Sequence, residues 1–513
     1  MHKWYLLLLL IVCLLLVTLA ASPVFAQTDA GDSQPVQASP TTTTLYLPFV
    51  RKLNPTVFGV ESYNIQGTNL WRMQEIHPAF VRRNGLLWSA VESTKGIYDW
   101  SKAAFLEQDL INARNNGIEV VLVVRSTPLW AQDNPYAPDH PLYCGRILQS
   151  ELPAFGDFMY AAVDRYSKPP FSVKYWQIWN EPDADPDWIG EPERYESPYG
   201  CMGDDADPYY GGDYFGDILA AIYPRIKQAD PTAQVVIGGL LLSCPFDPAN
   251  PDNPICNYRQ SLFLEGILRH HGANDGKNFF DIVAFHSYEY YTDVDANNNP
   301  ITPITGSLPW GSDSIDPAKA EIAFVSKKAY LQNILSAYGA VKPFMVSELA
   351  LLCGPQWWSP SCTTYDPAEA AFDRTKSYFV AKAYSISIAE GLFASIYYDL
   401  SSTSFRNTSL LYPNHSYRSP SPFHAFKTAR DSIKTGFLES EIKKMSSGKL
   451  VVHGYIFNRG DRHIWILWSR NGQNQNYNLP ALPLAAWDVW GAPISVTSKS
   501  LSVGIAPIYL EYP

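Results

Sequence analysis

Between about residue 55 and residue 430, short apolar runs of β type alternate with stretches of helical period. The runs are Val57-Phe58-Gly59-Val60, Phe80 to Asn84, Glu119 to Val124, Lys174 to Trp179, Val235 to Gly238, Asp281 to Phe285, Pro343 to Ser347 and Ala394 to Tyr398. Runs separated by helices predict βαβ units and a parallel sheet. Several are continuously apolar, the pattern of strands covered on both faces. A doubly wound sheet would alternate in the same way. No Gly-rich phosphate loop follows the first run, however, and a count of eight favours closure into a (β/α)8 TIM barrel.

The long Pro-, Gly- and Asp-rich insertions follow strand ends: Asp183 to Asp213, Ser243 to Asn257, Glu289 to Asp316 and Leu351 to Asp366. A barrel keeps its site at the carboxyl ends of its strands, so these loops are expected to shape a cleft. From about residue 431 the pattern changes. Leu450 to Phe457 and His463 to Trp468, separated by Asn458-Arg459-Gly460-Asp461, read as a hairpin, and further short strands follow to Tyr512. Residues 431–513 are therefore expected to form a small C-terminal antiparallel β domain, either a structural cap or a carbohydrate-binding module. Packed appendages are the commoner kind.

At the amino end, His2 and Lys3 precede an apolar run from Trp4 to about Ala21, and Val24-Phe25-Ala26 offers small residues for cleavage. Residues 1–26 read as a secretory signal peptide, with an uncleaved anchor as the alternative, because the run is long. Residues 27–54 combine a Thr-, Ser-, Gln-, Asp- and Pro-rich tether with a short strand-like piece, leaving 55–430 for the barrel. The protein is expected outside the cell, without stable membrane insertion unless the signal is retained. Six cysteines remain after cleavage: Cys144, Cys201, Cys244, Cys256, Cys353 and Cys362. An even number in an exported chain points to disulfides. Proximity suggests Cys244 with Cys256, Cys353 with Cys362, and Cys144 with Cys201, out of fifteen possible connectivities.

Composition narrows the function. At 46% hydrophobic and 17% charged, the chain supports a real core. A formal charge of −11 disfavours nucleic-acid binding. Aromatic residues reach 14%, a supply that either a large core or a sugar-stacking surface would use. The ten histidines include no H-E-x-x-H or H-x-H, so no metal and no other cofactor is expected.

The strongest chemical signal is Tyr175-Trp176-Gln177-Ile178-Trp179-Asn180-Glu181-Pro182-Asp183, an apolar strand that ends in Asn-Glu-Pro. Pro182 stops the strand, and at such an end the backbone can turn both Asn180 and Glu181 into the mouth. A second apolar run, Phe344-Met345-Val346-Ser347-Glu348, also delivers a glutamate at its carboxyl end. Two carboxyl groups from the fourth and seventh strands can face one sugar from opposite sides of its anomeric carbon. A separation of about 5–5.5 Å leads to retention of configuration, and a wider one to inversion.

Asn-Glu-Pro on the fourth strand with Glu on the seventh resembles the clan A glycoside hydrolases, which include families 5 and 39. Val81-Arg82-Arg83-Asn84-Gly85-Leu86-Leu87-Trp88, Thr127-Pro128-Leu129-Trp130 and Phe285-His286-Ser287-Tyr288 look like their second, third and sixth strand segments. The resemblance covers most of residues 55–400. It implies Glu181 as acid/base and Glu348 as nucleophile, with Asn180 on the sugar 2-OH. Arg83, or alternatively Arg82, would sit beside the nucleophile, and His286 and Tyr288 would line the site. Trp88 and Trp130 serve equally well as subsite walls or as core. The clan often carries Trp at the end of the eighth strand, where this chain has Tyr397-Tyr398-Asp399. The expected function is hydrolysis of a β-linked oligo- or polysaccharide by a secreted retaining glycosidase. The alternatives are a transglycosylase and a catalytically inactive carbohydrate-binding barrel. Sugar, linkage, exo or endo action and oligomeric state are not legible.

Overall fold

The structure, a computed structural model, describes residues 57–133, 145–184, 200–242, 258–291, 322–353, 367–402, 405–411 and 421–513. The signal, the tether and most of the long insertions lie outside these residues. So does at least one cysteine of each expected pair. No described helix is long and apolar enough to cross a membrane.

Eight parallel strands form the barrel: β1 (Phe58–Glu61), β2 (Phe80–Leu87), β3 (Glu119–Arg125), β4 (Tyr175–Asn180), β5 (Gln234–Gly239), β6 (Val283–Tyr291), β7 (Phe344–Cys353) and β8 (Ala394–Tyr397). Their order is β5-β4-β3-β2-β1-β8-β7-β6. Parallel bridges Val236–Ile282 and Leu240–Phe285 join β5 to β6 and close the ring. Among the described residues, a helix of at least seven residues follows each strand: α1 (Gly67–Ile76), α2 (Ala104–Asn115), α3 (Leu152–Tyr166), α4 (Gly212–Ala229), α5 (Phe263–Arg269), α6 (Ala323–Ala337), α7 (Pro367–Ala389) and α8 (Pro422–Ile433).

Side-chain alternation divides the core in two. Phe80, Val121, Val236, Ile282, Ala284, Met345, Ala394 and Ile396 fill the barrel interior as one cluster. Their neighbours one residue away, such as Val81, Val120, Leu122, Val235, Val283 and Val346, pack outward against the helices. This two-residue period decides which later residues of each strand reach the mouth.

The carboxyl-terminal part is an antiparallel sheet in the order β13-β15-β11-β10-β9, flanked by the two-stranded ribbon β12-β14. The strands are β9 (Phe437–Ser446), β10 (Lys449–Asn458), β11 (His463–Ser469), β12 (Gln475–Asn478), β13 (Ala485–Trp487), β14 (Ser500–Val503) and β15 (Ile508–Tyr512). The hairpin expected around Gly460 is β10–β11, paired from Asn458–His463 to Val452–Ser469. One sheet face, including Tyr455, Phe457, Ile464, Ile466 and Trp468, joins the hydrophobic core that continues into the barrel. Trp490 Nε1 donates to Ser377 Oγ on α7 at 3.0 Å, and Trp487 Nε1 to Ser432 Oγ on α8 at 3.2 Å. Such packing is that of a cap fixed to the barrel flank.

Candidate active site

On four strands the interior phase, followed upward from the apolar layer, arrives at polar side chains. On β1, Phe58 and Val60 face the helices, so Glu61 turns inward. On β2, Phe80 is interior and Arg82 follows it two residues later. On β6, Ile282 and Ala284 lead to His286 and Tyr288. On β8, Ala394 and Ile396 lead to Tyr398.

Breaks of phase at the ends of β4 and β7 each deliver a glutamate. On β4, Trp179 takes φ +70 and Glu181 φ +45, both left-handed. The turn at Trp179 sends its ring into the outer core, and Asn180 faces inward with Glu181 beside it. Left-handed backbone at a residue with a bulky side chain costs on the order of 1–3 kcal/mol, a strain concentrated at functional sites. On β7, Val346 pairs with Phe285 and Glu348 with His286, so Ser347 is the extra residue of a β-bulge. The bulge re-aims Glu348 into the mouth, where unbroken alternation would have turned it outward.

These side chains form one buried network. Arg82, fully buried, donates from Nη1 to Glu348 Oε1 at 2.6 Å and to Glu61 Oε2. Its Nη2 donates to Asn180 Oδ1 at 2.5 Å, and its Nε to Gln177 Oε1 at 3.0 Å. Because Asn180 Oδ1 must face the guanidinium, its amide NH2 points the other way. The Tyr288 hydroxyl donates to Glu348 Oε2. His286 Nδ1 lies 2.7 Å from Glu181 Oε1 and 3.4 Å from Glu348 Oε2. A carboxylate oxygen of Glu181, one of Glu348 and a ring nitrogen of His286 all fall within 4.8 Å of one another.

Burial raises the carboxyls of Glu181 and Glu348, each to about 7, against the pull of Arg82 on both. The two form a coupled pair. The guanidinium touches Glu348 directly, so Glu348 is the first to ionise and Glu181 keeps its proton longest. Burial also pushes His286 down to about 3, which leaves the imidazole neutral. A group of two carboxyls and an imidazole could in principle hold a cation. The Arg82 guanidinium, 2.6 Å from one of those carboxyls, opposes a second positive charge there.

Behind the site, Lys327 on α6 donates to Leu241 O at 2.8 Å and His286 O at 2.9 Å. Asp183 accepts from the backbone N–H groups of Leu241 and Leu242 at 2.8 and 2.9 Å. Together they tie the ends of β4, β5 and β6. Gly239 lies against the site, where an added Cβ would overlap His286 Nε2 and Ser347 Oγ. Gly239→Ala should therefore displace His286. We expect a stability loss of about 1–3 kcal/mol from overpacking. We also expect a fall in turnover of roughly a hundredfold, both read by thermal melts and steady-state assays.

One preference changes, and two open alternatives resolve to core packing. Arg82, not Arg83, holds the position beside Glu348. Arg83 is one residue out of phase on β2, points outward and donates to Asp109 Oδ2 on α2 at 2.8 Å. Trp88 is fully buried against Phe155 and Phe158 and gives its Nε1–H to Glu92 Oε2 at 2.6 Å, so it presents no face to a ligand. Trp130 packs edge-on to Trp88 with centroids 5.5 Å apart and is bonded to Glu92 O at 2.9 Å, in the same flanking cluster. Glu181, Glu348, Asn180, His286 and Tyr288 do come together. Glu61 was missed, and the Phe80/Arg82 and Gly59/Glu61 phase is the signal that could have found it and Arg82. At the end of β8, Tyr397 is buried outward, and Tyr398 stands at the mouth with its hydroxyl 2.9 Å from that of Tyr63.

No protein-family profile matches the chain, and no curated protein matches it in sequence. Solved structures do. A family 39 glycoside hydrolase from Bacteroides cellulosilyticus aligns with TM-score 0.60 at 18% identity, over 89% of this chain and 81% of its own. A family 30 endoxylanase from Clostridium papyrosolvens aligns with TM-score 0.52 at 11% identity, over 89% and 96%. A monomeric β-xylosidase from Caulobacter crescentus gives 0.51 at 14%, over 88% and 95%. The likeness is one of fold. This chain has a (β/α)8 barrel with a trailing β domain, and the fold agrees with the clan A resemblance in the sequence.

Proposed function

We propose that the protein is a secreted retaining glycoside hydrolase acting on β-linked carbohydrate. The observation that carries this reading is the pair of buried carboxyls from β4 and β7 with oxygens within 4.8 Å of one another. That closeness suits direct attack by one carboxylate, as in the short carboxyl separation of retaining enzymes.

Glu348 is the nucleophile. Arg82 favours its ionised form, and the Tyr288 hydroxyl orients it. It attacks the anomeric carbon as Glu181 gives its proton to the departing oxygen, and a glycosyl ester forms on Glu348. Esterification removes the negative charge beside Glu181 and lowers its pKa, so Glu181 can take a proton from water, which then releases the sugar. Asn180 offers its amide N–H to the sugar hydroxyl next to the anomeric carbon. The residues need no metal for these steps. The amino-terminal segment supports export in the same reading.

The endoxylanase and β-xylosidase among the structural neighbours make p-nitrophenyl β-xyloside the first substrate to assay. We expect hydrolysis, with NMR showing the β anomer of the released sugar before mutarotation. Appearance of the α anomer first would exclude double displacement.

A further inference from the structure

Glu61 is a third carboxylate at the mouth that the mechanism above does not use. It closes β1 and is nearly buried, at 4% exposure. Its Oε2 accepts from Arg82 Nη1, the same nitrogen that serves Glu348 Oε1 at 2.6 Å. Its Oε1 makes no hydrogen bond to a described residue, yet it is not among the described polar atoms sealed from solvent without a partner. An acceptor that is neither bonded nor sealed is open to a donor, and this carboxyl group shares Arg82 Nη1 with the nucleophile. Aromatic side chains border the pair. Tyr398, whose phenol is pushed up mainly by burial and then by the charges of Glu61 and Glu348, packs edge-on to Tyr288 and Phe405 with centroids 6.3 and 5.7 Å away. Tyr63, two residues beyond Glu61, is half exposed and bonded to the Tyr398 hydroxyl.

Resting on the glycosidase reading, we infer that Glu61 is a specificity-determining residue: its second carboxylate oxygen accepts a hydroxyl of a neutral glycone and excludes sugars that carry a carboxylate. The electrostatics are one-sided. Glu61 and Glu348 already share one guanidinium nitrogen of Arg82, so an acidic sugar would bring a third negative charge to a cation that two carboxyl groups already use. Like charges at such distances lower affinity by roughly a hundredfold. A neutral sugar meets the opposite situation, because its hydroxyl supplies the donor the carboxylate lacks.

The test compares p-nitrophenyl β-xyloside, β-glucoside and β-glucuronide on wild type and Glu61→Gln, which keeps the size and removes the charge. The wild type should favour the better neutral glycoside over the glucuronide by about a hundredfold in kcat/KM. In Glu61→Gln that ratio should shrink tenfold or more, chiefly through KM. An equal fall on every substrate would mean that Glu61 only holds Arg82, and would overturn the inference while leaving the glycosidase reading intact. A wild-type preference for the glucuronide would do the same. Calorimetric binding of a neutral imino sugar and its carboxylate analogue to the wild type reads the same discrimination without turnover or mutation. Tighter binding of the neutral compound supports the inference, and equal binding overturns it. Wild-type failure to turn over any glycoside would count against the glycosidase reading separately.

Discussion

Glu348→Ala is expected to lower kcat on aryl β-glycosides by on the order of 10⁴- to 10⁶-fold, the range in which removal of a nucleophile falls. The argument does not depend on stability. Glu61 remains as counter-ion to Arg82 after the substitution, and Asn180 and Gln177 still accept its other N–H groups. The guanidinium is therefore not left buried and unpaired, the circumstance that makes loss of one ion-pair partner so damaging. The shortened side chain also leaves room for a small anion. Azide placed there would attack the anomeric carbon from the side Glu348 occupied and expel the aryl oxide, giving the α-glycosyl azide in one displacement. Recovery of rate with azide, and that anomer by NMR, would identify Glu348 as the nucleophile. A variant that keeps a tenth of wild-type activity on well-hydrolysed substrates would end the assignment.

What the sequence makes legible, and what it hides, follows one physical rule. Strand existence is carried by apolar runs, and all eight barrel strands coincide with the runs read from the sequence. Strand ends are carried by hydrogen bonding, which composition reports poorly. Strands β6 and β7 continue to Tyr291 and Cys353, well beyond Phe285 and Ser347, because they go on pairing through polar residues after the bulge. Strand β9 escaped notice because it is a charged edge strand, with Ile442 its one fully buried residue. The helix α8 runs to Ile433, just past the expected boundary at residue 430.

The same rule divides the site. Glu181 and Glu348 were legible because each ends an apolar strand in a recognisable context. Which of two adjacent arginines faces inward was not, since Arg82 and Arg83 differ only in phase and both end up buried and paired. Phase could be counted forward from Phe80 on β2. On β7 the same count would have placed Ser347 in the mouth and Glu348 outside it, because a bulge has no signature in composition. Trp88 shows a different ambiguity: an aromatic residue near a strand end suits a sugar platform or the core equally well in sequence, and here the outer core takes its volume.

Glu181→Ala should produce a loss that depends on the leaving group. General acid catalysis contributes about 10²- to 10⁴-fold, and that contribution matters most where the departing oxygen is basic. Dinitrophenyl glycosides should thus lose little in their first step, and unactivated disaccharides nearly everything. The pH profile gives an independent check. In the wild type, kcat/KM requires Glu181 protonated and Glu348 ionised, so the rate falls on the acid side as Glu348 takes up its proton. On the alkaline side it falls as Glu181, raised to about 7 by burial, loses its own. The two limbs report the coupled pair rather than either residue alone. Removing Glu181 removes the group whose deprotonation stops the reaction, so the alkaline limb should flatten. Glu181 is already neutral in the range where Glu348 takes up its proton, so the acid limb should stay in place. Azide should now intercept the glycosyl ester from the face that Glu181 vacated and give the β-glycosyl azide, the opposite anomer to that from Glu348→Ala. An unchanged bell-shaped profile in Glu181→Ala would show that another group supplies the proton.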